Sequence, residues 1–293
     1  MPQDAPPPGG ALAVDAAGPA VAAVVPTTAP HGGGRSATPR ARRWPGLIPG
    51  LVSLALLLAV WGIAAALGDD PQRLPSPALV LIRLVELAAS GELWLHLGMT
   101  LGRVGAAFAA AMLIGGALGL WMGRVPAADR WLNPSLLVLL NIPALVVIVL
   151  CYIWIGLNET AAVLAVALNK IPVVAVLLRE QARALRPDLD DMGRVFGMGP
   201  VARLRHIVLP QLAPAIAAAA RSGVALIWKI VLVVEFLGRS NGVGFKIHLA
   251  FSNFDVPRLL AWSLAFVAVM LALDLMVLRP WQARANRWRD DAA

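Results

Sequence analysis

Hydrophobic positions fall into six long runs, separated by polar, proline-rich or arginine-rich stretches. Residues 44–68 carry no charged side chain over 25 positions, 104–123 none over 20, and 131–158 none over 28. A helix needs roughly 20 apolar residues to cross a bilayer, so each run predicts a membrane span. Residues 160–178 are interrupted only by Lys170, 213–237 contain Arg221, Lys229 and Glu235, and 259–278 contain Asp274. These runs are also long enough to span. The pattern predicts an all-α, polytopic membrane protein with six transmembrane helices.

The remaining stretches divide the chain. Residues 1–43 are rich in Pro, Ala, Gly and Thr and end in Arg35, Arg40, Arg42 and Arg43; such a segment cannot bury a core and predicts a disordered cytoplasmic tail. Residues 44–98 hold the first span, a turn-rich outer loop at 69–77 and an interfacial helix over 78–90 that carries Arg83 and Glu86. Residues 99–280 form a core of five spans, and 281–293 a cytoplasmic C-terminal tail. If both termini lie inside, 16 basic residues fall in inner segments and 6 in outer ones, which predicts an N-in, C-in topology.

Composition narrows the function classes. The 293 residues are 59% hydrophobic and 14% charged, against about 25% charged in a soluble globular chain. That excludes a disordered protein and argues against an ordinary soluble enzyme. The net charge of +8 reads as basic inner loops. It does not predict nucleic-acid binding, because no basic stripe interleaved with aromatics stands outside the spans. Cys151 is the single cysteine, and no His/Cys cluster has metal-ligand spacing, so no metal is expected. No nucleophile–base pair stands in the spans, and no G-x-x-x-x-G-K-[ST] phosphate loop occurs. The segment 238–246 (Gly-Arg-Ser-Asn-Gly-Val-Gly-Phe-Lys) reads as an outer turn.

The loop at 180–212, between the fourth and fifth spans, is long for a compact membrane bundle, and such loops are usually functional. Pro187 suits a first helical position. The pattern predicts a helix to Gly197, a turn at 197–200 in which Gly197 and Gly199 permit positive φ, and a second helix from Val201 that stops at Pro210. A helix-turn-helix on the cytoplasmic face would make a docking knob for a soluble partner.

Here the chain resembles the permeases of ABC importers, whose cytoplasmic "EAA" loop reads Glu-Ala-Ala, three residues, Gly, nine residues, Ile, one residue, Leu-Pro. Asp191-Met192-Gly193, Gly197, Ile207, Leu209 and Pro210 stand at those spacings; Asp191 replaces Glu, and Met192 and Gly193 depart from Ala-Ala. Other segments resemble the nitrate, sulfonate and taurine branch: 74–77 (Leu-Pro-Ser-Pro), 96–104 (His-Leu-Gly-Met-Thr-Leu-Gly-Arg-Val), Asn133-Pro134, 141–144 (Asn-Ile-Pro-Ala), and Trp228 with Glu235 ahead of Gly242-Val243-Gly244.

The resemblance implies a pore-forming subunit of the bacterial inner membrane. It would work as a homodimer, with a separate ATP-binding subunit on the loop and a periplasmic or extracellular substrate-binding protein on the other face. The chain itself would hold no cofactor, Mg-ATP being bound and hydrolysed in the partner. The implied coupling residues are Asp191, Gly193, Gly197, Gly199, Ile207, Leu209 and Pro210. A stand-alone secondary transporter or channel is the alternative, but no half-to-half repeat supports it.

Charges within spans are expensive and usually face an aqueous path or a partner. Arg221, Trp228 and Glu235 are spaced by seven, so successive members drift by only about 20° around the helix. Lys229 lies on the flank. This face is expected to line the solute pathway or the permease–permease contact, and its cations suit a small anion. The same charges could instead pair with carboxylates on other helices, and Glu235 with Arg239 at i+4. Lys170 in the fourth span and Asn141 in the third, beside Pro172 and Pro143, are further pathway candidates.

Overall fold

The structure is a computed structural model and describes residues 47–68 and 70–282. The tail expected at 1–43 lies outside the described residues, as does the C-terminal tail from residue 283. The chain divides at Gly50 into a unit Met1–Gly50 and a unit Leu51–Ala293. The second unit is the helical bundle, and helix α1, Leu47–Leu67, begins in the first.

Every regular element among the described residues is helical. After α1 come α2 (Pro77–Ala89), α3 (Glu92–Arg124), α4 (Pro126–Asn141), α5 (Ala144–Ile155), α6 (Glu159–Arg183), α7 (Pro187–Val195), α8 (Pro200–Arg203), α9 (Leu209–Gly238), α10 (Val243–Ser252) and α11 (Val256–Leu273). The caps follow ordinary rules. The Ser76 hydroxyl accepts from the Leu79 amide at 3.3 Å, Asn158 from the Ala161 amide at 2.8 Å and Asp255 from the Arg258 amide at 3.0 Å. Pro77, Pro187 and Pro200 stand at first helical positions, where no amide is needed.

Five helices are long and apolar enough to cross a membrane: α1, α3, α6, the continuous helix Pro200–Gly238, and Val256–Gln282. The third predicted span, 131–158, is corrected. It is two helices, α4 and α5, bent by 96° at Ile142-Pro143. Pro143 removes an amide and drives Ile142 to an extended conformation, so the helix ends there. A sixth span exists only if this bent pair counts as one. Two further expectations change. The second span extends through the whole of α3, about 50 Å at 1.5 Å per residue. The segment expected as an outer turn, 238–246, runs into an unpredicted helix, α10.

The second loop helix, expected to stop at Pro210, instead continues: α8 runs through a π-turn at Leu204–Val208 directly into α9. The wide turn, closed by the Leu209 amide on the Leu204 carbonyl, shifts the hydrogen-bond register where the Pro210 ring would otherwise meet the preceding turn. A second π-turn, Asp274–Leu278, ends α11.

The bundle is built on α3 and α6, which pack at backbone distance. A Cβ added at Gly115 would lie 2.7 Å from the Ile171 carbonyl, one at Gly119 2.5 Å from the Ala175 carbonyl, and one at Gly123 2.7 Å from the Arg179 carbonyl. Close helix approach through small residues is the usual solution where lipid offers no hydrophobic drive to association. Trp262, Ile148, Ile227, Val231 and Val234 fill the core shared by α5, α9 and α11. Large apolar side chains such as Leu113, Trp131, Ile153 and Trp154 point outward, each more than two-thirds exposed. No residue of α1 from Leu51 to Leu67 is buried, and its Trp61 indole donates to the Pro75 carbonyl at 3.0 Å. Such surfaces are stable only against lipid or another apolar partner; this is a multi-pass membrane protein.

Candidate functional site

Three assemblies stand out: a buried ion cluster, a lateral groove, and the helix-turn-helix.

The ion cluster lies at the end of the bundle that carries α10. Arg103, 5% exposed, is its hub. Its Nε and Nη2 donate to the two Glu159 oxygens at 2.7 and 2.6 Å, and its Nη1 donates to Glu235 Oε1 at 2.5 Å and to the Asn241 carbonyl at 3.0 Å. The other Glu235 oxygen accepts from the Thr100 hydroxyl at 2.9 Å and the Gly244 amide at 2.8 Å. Arg239 donates to Glu159 at 2.7 Å. Two cations and two carboxylates balance; Arg103 and Glu235 are buried and have hydrogen-bond partners, as buried charges require, while the Glu159 side chain is half exposed.

The cluster explains the glycines. Gly242 has φ +102°, and a Cβ there would strike the Glu235 carboxylate; one at Gly244 would strike the Leu232 carbonyl. The expected turn is therefore a cradle for a carboxylate. His96 accepts from the Gly242 amide at 3.0 Å, so it caps backbone from a buried position. The segments 96–104 and 242–244, which carried the branch resemblance, are two halves of one assembly. Sequence reasoning missed Thr100, Arg103 and Glu159, although His96, Thr100 and Arg103 form a polar stripe at helical spacing in an apolar helix.

The groove, about 800 Å³, runs between α9 and α11 with Ile247 of α10 at its edge. It brings together Arg221, Trp228 and Lys229 of the expected pathway residues with Ser222, Ser263, Phe266 and Asp274. Glu235 lies outside this groove: it is 0% exposed and held by Arg103 in the cluster, and its carboxylate does not pair with Arg239, which turns to Glu159. Arg221 is already compensated, with Asp274 at 3.1 Å and Gln282 at 2.9 Å, while Asp274 also meets Arg279 at 2.9 Å. Lys229 has no ion pair or hydrogen bond among the described residues. Asn141 and Lys170 lie outside the groove: the Asn141 amide donates to the Leu137 carbonyl at 2.7 Å, and Lys170 is buried on α6 with no ionic partner among the described residues.

The helix-turn-helix has the expected shape with different internal logic. Gly197 has φ +68° and open space around it, whereas Gly199 is extended at φ −63° and needs no glycine conformation. Gly193 is buried, and a Cβ there would lie 2.6 Å from Ile207. Ile207 is buried, Leu209 and Pro210 are exposed, and Asp191 bonds only Arg194, at 3.2 Å, among the described residues. Arg186, at 2.6 Å, holds the Asp188 carboxyl below its usual range. At the tip Val195, Phe196 and Val201 are each more than three-quarters exposed, an apolar knuckle on a charged loop.

The model of the family of binding-protein-dependent transport system inner membrane components matches residues 111–285, which contain the groove and the helix-turn-helix. The chain belongs to this family.

It is similar to the taurine transport system permease protein TauC of Escherichia coli, 28% identical over 82% of this chain and 89% of that one. It is also similar to the riboflavin transport system permease protein RibX of Chloroflexus aurantiacus (32%, 80% and 87%) and the nitrate import permease protein NrtB of Synechocystis (26%, 80% and 87%). Among solved structures, the inward-facing methionine ABC transporter MetNI matches with a TM-score of 0.49 at 16% identity, over 67% of this chain and 97% of that chain. The chain is a binding-protein-dependent transport permease, and these relatives are transport permeases.

Proposed function

We propose that this permease forms the solute pathway of an ATP-driven importer in the bacterial inner membrane, with both termini and the α7–α8 loop in the cytoplasm. A separate subunit binds and hydrolyses Mg-ATP and docks on that loop. A substrate-binding protein delivers a small anion, of the nitrate, sulfonate or taurine kind, to the opposite face, and two copies of the chain enclose the pathway. The observation that carries the docking role is the knuckle Val195-Phe196: large, exposed apolar side chains at the end of the charged helix α7, outside the helices long enough to span.

The test is a mild-detergent pull-down of the tagged chain from its own host. The wild type is expected to retain an ATP-binding subunit. Gly197→Asp, which removes the residue suited to φ +68° and places a carboxylate beside Phe196, is expected to stay inserted but lose that subunit and all uptake. A wild-type chain that elutes alone would overturn the importer reading.

For the pathway, the groove supports the anion assignment through Lys229. An ammonium at membrane depth costs about 2.5–3.5 kcal/mol on insertion scales, which a water-filled path or a bound anion offsets. Arg221 is already balanced by Asp274. Lys229→Ala is therefore expected to weaken anion uptake about tenfold or more, the scale of a charge-assisted hydrogen bond, and Arg221→Ala to weaken it less. Uptake of labelled taurine and nitrate measures both; the reverse order would remove Lys229 from the pathway.

A further inference from the structure

Asp190, one residue before the segment that resembles the family loop, sits where three guanidinium groups converge. Arg124 Nη2 donates to its Oδ2 at 2.8 Å, Arg194 reaches the same oxygen at 3.4 Å, and Arg203 stands 3.7 Å from Oδ1. These residues come from three elements. Arg124 is the last residue of α3, Asp190 and Arg194 belong to α7, and Arg203 ends α8. Asp190 is mostly shielded while Asp191 beside it is 67% exposed. Among the described residues, Arg124–Asp190 is the one side-chain bond from the segment 184–208, between α6 and α9, to a helix that this segment does not itself join; the Arg186 amide, for comparison, donates to Gln211 of the following helix α9.

The bond leads somewhere. The inner half of α3 is locked on α6 by Gly115, Gly119 and Gly123, so it cannot slide without moving α6. Twenty-one residues from Arg124, about 32 Å along a straight helix, the same helix carries Arg103, which grips Glu159, Glu235 and the Asn241 loop. One helix thus joins a carboxylate on the docking loop to the ion cluster at the far end of the bundle. Tightly packed elements move as bodies.

Resting on the importer reading above, we infer that Asp190 is the positioning residue through which the loop acts on α3, so that ATP-driven movement of α7 reaches the Arg103 cluster as displacement of a rigid rod. Asp191 is not on this route.

The test uses the importer purified through this chain, with hydrogen–deuterium exchange measured with and without ATP plus vanadate, which needs no knowledge of the solute. In wild type, exchange is expected to change both in residues 187–203 and in the outer half of α3, 92–110. In Asp190→Asn the loop response is expected to persist with the ATP-binding subunit still bound, while the response of 92–110 falls at least fivefold. Asp191→Asn is expected to leave both. Asp190→Glu, which keeps the carboxylate among the three guanidinium groups, is expected to retain the α3 response that Asp190→Asn loses. A wild-type α3 that does not respond, an Asp190→Asn response equal to wild type, or an Asp190→Glu response as low as that of Asp190→Asn would each overturn the inference. Should Asp190→Asn not assemble, Arg124→Gln tests the same bond from the other side. A complex without an ATP-binding subunit would instead refute the importer reading.

Discussion

Arg103→Leu is expected to destabilise the purified chain by about 3–5 kcal/mol, the cost of breaking a buried ion pair from one side. The reason is what remains. Glu235 is fully buried, 0% exposed, and would lose its only cation, leaving the Thr100 hydroxyl and the Gly244 amide as its donors. Glu159 would retain Arg239, so the uncompensated charge is Glu235 alone. For a chain of this size the loss corresponds to a fall of about 6–20 °C in the unfolding midpoint, measured by thermal denaturation in detergent. Removing both charges, with Arg103→Leu and Glu235→Leu, is expected to recover a large part of the fall, since apolar replacement of a whole buried pair is often close to neutral. A midpoint within about 2 °C of wild type for Arg103→Leu alone, a shift of under about 1 kcal/mol, would show that the cluster does not hold the bundle together.

The second large effect lies at the other half of the same helix. Gly119→Leu would place a Cβ 2.5 Å from the Ala175 carbonyl and 3.0 Å from the Arg179 amide. Both neighbours are backbone and cannot rotate away, so α3 and α6 must separate. Overpacking typically costs about 1–3 kcal/mol, occasionally more, and separation would also open the contacts at Gly115 and Gly123. Gly102→Ala is the control: nothing lies within 4 Å of its added Cβ, and alanine gains about 1 kcal/mol of helix propensity. The midpoint is expected to fall for Gly119→Leu and to hold or rise for Gly102→Ala. The opposite order would refute close packing of α3 on α6.

Much of this was legible from residue order, for local reasons. A run of about 20 apolar residues has few alternatives to a helix in lipid, because its backbone polar groups must be satisfied within the segment. Apart from the bent third span, the span positions, the helix at 78–90 and the turn at Gly197 follow from hydropathy, proline and glycine alone. The loop spacing 191–210 was enough to mark the family resemblance. The stripe His96, Thr100 and Arg103 was equally readable, but Arg103 sits near a span end, where a basic residue ordinarily signifies topology.

Which charge meets which was not legible. Glu235 shares a helical stripe with Arg221 and Trp228, yet α9 is surrounded on several sides, so one helix face touches different neighbours along its length. Arg221 and Trp228 reach the groove, while Glu235, two turns beyond Trp228, reaches α3. Lys229 and Arg221 are alike in sequence and differ only because Asp274, 53 positions away from Arg221, lies beside one of them. Likewise Asp190 and Asp191 are adjacent identical residues, and the roughly 100° between them on α7 sends one to Arg124 and leaves the other in solvent. Residue order alone settled most of the helices, their proline and glycine breaks and the family, because those depend on neighbours within a turn or two. Packing in three dimensions chose the partner of each buried charge, because a long-range ion pair depends on two helix rotations and an interhelical distance that no local pattern encodes.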